Sequence, residues 1–324
     1  MDCDSDPSPS TALAELEPRG ATTALAAGRF LFDLPGGARA AFGRQAFNEA
    51  AGFIRILPVA GPAAAKARVQ AQAALLGVPH DEGGTRLVRV AAGSRPHSWF
   101  IYYWKDTLFK DDRVELLGYF WRDGLLCIFP SACRAEPEAM AQRAVALDQL
   151  FERLRRRAPL EVPGEPGFCL GGGWFPGRAT PRSDEHIEVV ARFPAKPGVS
   201  LRFTSDTVGE VVARYPSLLA RAARGRGGCR LRAGDRRVGP FAGQERVERQ
   251  GPPGPAALSF AWECLGRPRD PLAPLVGMEL RTGPELPEAE AFAIWDGVLD
   301  SFRARENSAN TLRLPEPFRS SLTM

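Results

Sequence analysis

The chain lacks the parts that most chemistries need. It has three histidines, His80, His97 and His186, and none pair at helix-face spacing or form an HExxH. Its six cysteines, Cys3, Cys127, Cys133, Cys169, Cys229 and Cys264, form no CxxC, which excludes a zinc ribbon or a thioredoxin-type site. No GxxxxGK[ST] phosphate loop is present, because the glycines at 171–173 are followed by Trp174, Phe175 and Pro176 and no lysine lies nearby. No GxGxxG joins a strand to a helix, and no serine has the flanks of a GxSxG elbow. Acidic pairs such as Asp111–Asp112 and Asp184–Glu185 read as solvated loops. No run of about 18 apolar residues exists to span a membrane. These absences predict a protein that is not an enzyme and holds no cofactor and no metal.

Lysine is scarce as well. Only Lys66, Lys105, Lys110 and Lys196 occur, so the basic residues are nearly all arginine. The net charge of +4 over 324 residues is too small for a nucleic-acid binder with one strongly basic face. The N-terminus, "MDCDSDPSPSTALAELEPRG", is acidic and rich in proline and serine, without the basic start and apolar core of a secretory signal. Residues 1–22 read as a disordered leader, or as what remains after an export signal is removed. Cys127 and Cys133 flank an apparent turn at Phe129-Pro130, and would bridge there in an oxidising compartment.

What is present is a globular composition, 44% hydrophobic and 25% charged, long enough for two domains. From Gly28 the chain reads as strand, turn and strand. "PAAAKARVQAQAALLG" follows as a helix started by Pro62 and stopped by Gly77. Strands follow at "TRLVRVAA", "HSWFIYYW", "RVELLGYFW" and "LLCIF", then a helix with Leu147, Leu150, Phe151 and Leu154 on one face. The Pro/Gly-rich segment 158–166 reads as a linker. Beyond it the same order returns: "GFCLGGGWF" as a first strand, strands at "HIEVVARF" and "VSLRFTS", and a helix capped by Asp206. Four more strands follow, then a helix with Ile294, Trp295, Val298, Leu299 and Phe302 on one face.

The closing helices match residue by residue, "LDQLFERLRRR" from Leu147 against "WDGVLDSFRAR" from Trp295. Asp148 falls on Asp296, Arg155 on Arg303 and Arg157 on Arg305. The strand pieces "IRI" at Ile54 and "LRF" at Leu201 match too. They precede those helices by 93 and 94 residues. Two matched anchors at equal spacing indicate an internal duplication. The expected fold is therefore α+β: two tandem similar α+β domains, 23–157 and 167–305, of mostly antiparallel sheets each packed with helices, with a tail at 306–324. The triple glycine then serves a bulge, a tight turn or close packing in a repeated first strand.

Partner contact is sought among aromatic and basic residues. Alternation puts Trp99, Ile101 and Tyr103 on one face of a strand and Phe100, Tyr102 and Trp104 on the other. Such a strand is either central and covered on both sides or exposed at an interface, where tyrosine and tryptophan are enriched. The basic stretch "RAARGRGGCRLRAGDRR" either meets an acidic partner or is a solvated strand–loop–strand. The contact candidates are Trp99, Tyr102, Trp104, Trp174, Arg236 and Arg237. Arg303 and Arg305 read as helix-end residues that hold the fold.

The stretches "GRFLFDLPGGA", "GFCLGGGWF", "SLLARA", "RLRAGDRRVG", "FAGQERVER", "FAWECLG", "MELRTG" and "WDGVLDSFRAR" occur in an order that resembles the immunity proteins paired with the fourth class of type VI secretion lipase effectors. The resemblance runs from about Gly28 to Arg305 and is clearest from Gly167 onward. It implies a non-enzymatic pair of α+β domains that binds a cognate phospholipase or lipase toxin one-to-one in the periplasm, by clamping over the toxin's substrate entrance or lid. Cys3, followed by Asp4, is where a mature lipoprotein would carry its lipid anchor. The competing readings are a periplasmic interaction protein of the same fold with a different partner, and an enzyme whose site is assembled from loops.

Overall fold

The computed structural model describes residues 22–305 apart from 49, 51, 80–83, 107–111, 159, 181–182, 208–215, 225–227, 251–255 and 272. Cys3, His80, Asp111, most of the leader, the tail 306–324 and much of the helix expected after Asp206 lie outside the described residues. The chain divides into two compact units. One comprises residues 1–43 with 157–324, the other residues 44–156.

The chain opens with β1 (Thr22–Ala27), β2 (Phe30–Pro35) and β3 (Arg39–Phe47). The unit boundary falls inside β3. The inserted unit continues with β4 (Arg55–Pro58), α1 (Pro62–Leu76), β5 (Leu87–Ala92), β6 (Ser98–Tyr103), β7 (Arg113–Arg122), β8 (Leu125–Arg134), α2 (Pro137–Arg153) and β9 (Arg155–Arg156). Its five-stranded antiparallel sheet has the order β4-β8-β7-β6-β5. Pro62 starts α1, where its missing N–H is no loss, and Gly77 ends it. α1 buries Ala65, Val69, Ala73 and Leu76 against Ile101, Leu117, Tyr119, Leu126 and Ile128. α2 contacts β7 and β8. Phe151 of α2 stacks on Phe120, which meets Phe100 and Phe129 edge-on.

The chain returns to the first unit with β10 (Gly167–Leu170), β11 (Gly173–Pro176), β12 (Glu185–Arg192), β13 (Ser200–Asp206), α3 (Leu218–Arg224), β14 (Cys229–Val238), β15 (Phe241–Gln250), β16 (Ala257–Cys264), β17 (Leu275–Arg281), α4 (Glu288–Ser301) and β18 (Arg303–Ala304). The main sheet has the order β14-β15-β16-β17-β13-β12-β3. The β1–β2 hairpin pairs with β18. An aromatic core joins the two ends of the sequence: Phe30 stacks on Phe302 and meets Phe203 and Phe241 edge-on. Each is almost wholly buried, and at about 1.5–3 kcal/mol per buried side chain this core outweighs sequence proximity. The compact units are thus cut differently from the consecutive segments read from the sequence, since residues 22–43 fall with the C-terminal part.

The architecture is mixed, with mostly antiparallel sheets and four helices among the described residues. Three local expectations need correction. "GFCLGGGWF" is a hairpin, with Gly171 and Gly172 at its turn. Gly172 takes φ +100°, and a Cβ on Gly171 would lie 2.7 Å from the Phe42 Cβ, so a tight turn and close packing both demand glycine. The stretch "GRFLFDLP" supplies only the second strand of the β1–β2 hairpin, which turns at Gly28.

Asp206 is not a helix cap, because β13 runs through it in register with His186 and Leu275. The Ser217 hydroxyl instead accepts from the Ala220 N–H at the start of α3. No turn exists at Phe129-Pro130 either. β8 continues through it, and the proline sits beyond Ile128, where β4 has stopped pairing and no ladder donor is required. Cys127 and Cys133 therefore lie six residues apart on one strand, about 20 Å at ~3.3 Å per residue, far beyond the ~7 Å limit for a bridge. All five described cysteines are free thiols, and burial pushes Cys127 up to about 12.

Candidate partner-binding surfaces

Of the six contact candidates, four carry structural work. Tyr102 is buried, with its hydroxyl donating to the Met140 carbonyl at 3.3 Å. Trp99 is half-buried and packs against the α1 core. The covered-strand reading of β6 therefore describes most of it: β6 lies between β5 and β7, with α1 packed on it. Trp174 is half-buried, with its ring over Gly167, where a Cβ would come within 2.6 Å of the indole. Arg236 is tied into an ion-pair network. Trp104 is half-buried at the end of β6, and Arg237 is exposed on β14. The structure brings Arg236 and Arg237 onto one edge strand and Trp99, Tyr102 and Trp104 onto the inserted unit's sheet, while Trp174 stands on the β10–β11 hairpin.

The network around Arg236 centres on Glu245, which is buried in β15. Glu245 accepts from Arg232 Nη2 at 2.8 Å, Arg236 Nη1 at 2.6 Å and Trp295 Nε1 at 2.6 Å. Asp296, next to Trp295 on α4, accepts from Arg232 Nη2 at 2.8 Å and Arg236 Nη1 at 2.7 Å. The basic stretch of the sequence thus ties two of its arginines, both half-buried, into this network. Asp148, which matches Asp296 in the sequence, is similarly engaged, accepting from the Ser94 hydroxyl at 2.5 Å and facing Arg95.

Burial works to raise the Asp296 pKa, but hydrogen bonds from Arg232 and Arg236 outweigh it and hold the carboxyl below the usual aspartate range. A depressed folded-state pKa contributes stability above the unfolded value and loses it as pH falls. The Asp296 contribution is therefore complete above about pH 4, where an unfolded aspartate ionises, and disappears in more acidic solution. Urea unfolding from pH 5 down to pH 2.5 is expected to fall less steeply for Asp296→Asn than for the natural chain. Parallel curves would contradict this assignment.

The buried charges were not found by sequence reasoning. Arg29 and Glu185 form a paired fork, Nε to Oε2 at 2.8 Å and Nη2 to Oε1 at 2.5 Å, both residues buried. Burial raises the Glu185 pKa and Arg29 opposes it. Arg157 and Arg305 are buried against backbone carbonyls. Among the described residues, no group of three His, Cys, Asp or Glu side chains is placed to hold a metal ion, and no helix is long and apolar enough to cross a membrane. Buried pairing of this kind stabilises a scaffold and leaves partner contact to exposed edges and loops.

Comparison with known proteins meets this geometry. Residues 161–307 match the family model described as the Tle cognate immunity protein 4 C-terminal domain. The resemblance read from the residues is to this family. The chain is also similar to the apo structure of the immunity protein TplEi of the type VI secretion system from Pseudomonas aeruginosa, with a TM-score of 0.72 and 24% identity over 90% of this chain and 100% of that one. It is similar to the crystal structure of the Tle4–Tli4 complex, with a TM-score of 0.71 and 24% identity over 89% of this chain and 98% of that one. A third structure, TplEi complexed with an "L" peptide, has a TM-score of 0.66 and 24% identity over 89% of this chain and 99% of that one. These likenesses extend the fold beyond the matched segment to the inserted unit. No curated protein matches the chain.

Proposed function

We propose that this chain is an immunity protein that binds a cognate type VI lipase effector and blocks it, and that it works in the periplasm. The observation that carries the reading is the match of residues 161–307 to the immunity-protein family. The fold likeness to a chain in the Tle4–Tli4 complex supports it. Binding, not catalysis, is the activity: the conspicuous charged groups, Arg29–Glu185 and Glu245 with its arginines, are satisfied by one another.

The chain is further proposed to be a tandem duplication, which would offer the effector two related binding lobes. Strand order supports this. In the inserted unit, β4, α1, β5 to β8 and α2 succeed one another, and the sheet order is β4-β8-β7-β6-β5. From β13 the succession is the same, with α3, β14 to β17 and α4, and the order is β13-β17-β16-β15-β14. Both edge strands carry a register shift at matching places, around Val88 in β5 and around Leu231 in β14. Two lobes engaging one effector would clamp its substrate entrance or lid, and linkage gains effective concentration for the second contact.

The test is co-purification with the product of the neighbouring gene, followed by a lipase assay. The expected result is a one-to-one complex with lipid hydrolysis abolished. Absence of a complex, or a complex with undiminished hydrolysis, would overturn the reading.

A further inference from the structure

The two sheets end on edge strands that are finished differently. β14 is polar, and Arg232 and Arg236 on it are engaged by Glu245 and Asp296. β5 has no such finish. Val88 and Val90 are 39% and 46% exposed, and the segment "TRLVRVAAGSR", 85–95, holds three arginines and no acid. Among the described residues, neither Arg86 nor Arg89 meets a carboxylate. Arg86 donates to the Trp104 carbonyl and lies over the Tyr103 ring, and Arg89 lies over the Tyr102 ring.

The backbone of β5 is also available. The Gly93 N–H donates to the Ser98 carbonyl at 2.9 Å. In an antiparallel ladder, bonded pairs alternate with unbonded ones. With the register Ala91↔Phe100, Val90↔Ile101 and Ala92↔Trp99, the N–H and C=O of Val90 and Ala92 point away from β6. Among the described residues no strand pairs with that outer edge. Further apolar surface adjoins it: Leu75 and Val78 are exposed at the end of α1, where a Cβ on Gly77 would lie 3.8 Å from Leu87 Cδ2.

Sheet edges are normally blunted by charge, proline or cover, and an apolar edge left open is a template for strand addition. We propose that the outer edge of β5 is the docking strand for an extended segment of the effector, apolar at alternate positions, with carboxylates facing Arg86 and Arg89. The occupant follows from complementarity. Among the described residues, the edge offers unpaired backbone groups, valine side chains and two arginines that meet no carboxylate. This inference rests on the reading of the chain as an immunity protein.

The test measures, by calorimetry, the affinity of the full chain for the lipase effector captured in the co-purification, with folding of each variant checked by circular dichroism. Val90→Pro removes one outward N–H and leaves the β5–β6 ladder intact, so binding is expected to weaken about tenfold, the loss of one interfacial backbone bond. Val88→Glu with Val90→Glu places like charge against the partner's carboxylates and is expected to weaken binding further. Val88→Lys with Val90→Lys should cost less than the glutamate pair, and Ala233→Glu on β14 should change nothing. Natural affinity in both Val90→Pro and the glutamate pair would overturn the proposal, and the glutamate pair decides alone if the proline variant misfolds. A free chain that is dimeric and split by Val90→Pro, with lipase affinity unchanged, would assign the edge to a second copy and equally overturn it. Failure of the natural chain to bind the lipase would strike the immunity reading itself, a different outcome from intact binding by every β5 variant.

Discussion

Glu245→Ala is expected to lower the stability of the unit built on 157–324 by about 3 kcal/mol, the low end for breaking a buried ion pair. Glu245 is 4% exposed and is the common acceptor for Arg232, Arg236 and the Trp295 indole N–H. Removing it leaves a buried indole donor without a partner and each of two guanidinium groups short of one carboxylate. The loss stops near the low end because Asp296 still holds both arginines. Glu245→Gln keeps an acceptor for Trp295 and removes only charge, so it should fall between alanine and the natural residue. Urea midpoints followed by tryptophan fluorescence give the comparison, since Trp295 and Trp262 are buried in this unit. Equal midpoints for the natural chain and Glu245→Ala would mean that α4 is held by its apolar face alone.

That network marks the limit of what could be read from the residues. Helix α1 was legible because Pro62 and Gly77 are local signals, and α2 and α4 because their apolar stripes repeat at helical spacing. The strand "SWFIYYW" was legible, including which aromatics share a face. The partnership of Phe30 with Phe302 was not, because nothing local ties two residues so far apart in the chain. The hairpin at Gly171 looked like one strand because a two-residue turn leaves only the glycines as its trace. A basic run in the sequence offers Arg236 as a partner contact. A charge run shows composition, and only the fold shows that Glu245 and Asp296 stand opposite. The β5 edge escaped for the converse reason. "TRLVRVAA" is an ordinary strand sequence, and its exposure follows from being last in the sheet, a property of topology. The likeness of Asp148 to Asp296 and of Arg157 to Arg305 could be read, but not what those residues do.

Arg157 and Arg305 give the second large expected effect. Each follows one of the two matched helices, and each is buried with its guanidinium spread over backbone carbonyls. Arg157 donates to Leu170 at 2.9 Å, Glu161 at 2.7 Å and Ala26 at 2.8 Å. Arg305 donates to Gly167 at 2.9 Å and Glu165 at 2.6 Å, and also to Pro163. The segment 158–166 that reads as a linker is thereby fastened at Glu161, Pro163 and Glu165. Arg305→Leu would strip three buried or half-buried carbonyls of their donor, and at ~1–3 kcal/mol for each orphaned group the loss is expected to be about 4 kcal/mol. Arg157→Leu should behave alike, since it also orphans three carbonyls. Lysine is a poor substitute, because one ammonium cannot span acceptors that a planar fork of five donors reaches at once. Arg305→Lys is therefore expected to recover less than half of the lost stability. The second readout is proteolysis: the backbone at 158–166 should become cleavable by a glutamyl endopeptidase at Glu161 and Glu165 in Arg305→Leu, and stay intact in the natural chain under the same conditions. A leucine variant that unfolds at the natural urea midpoint and resists cleavage would show that these two arginines merely fill space. It would also remove the physical reason for finding arginine at both matched positions of the closing helices.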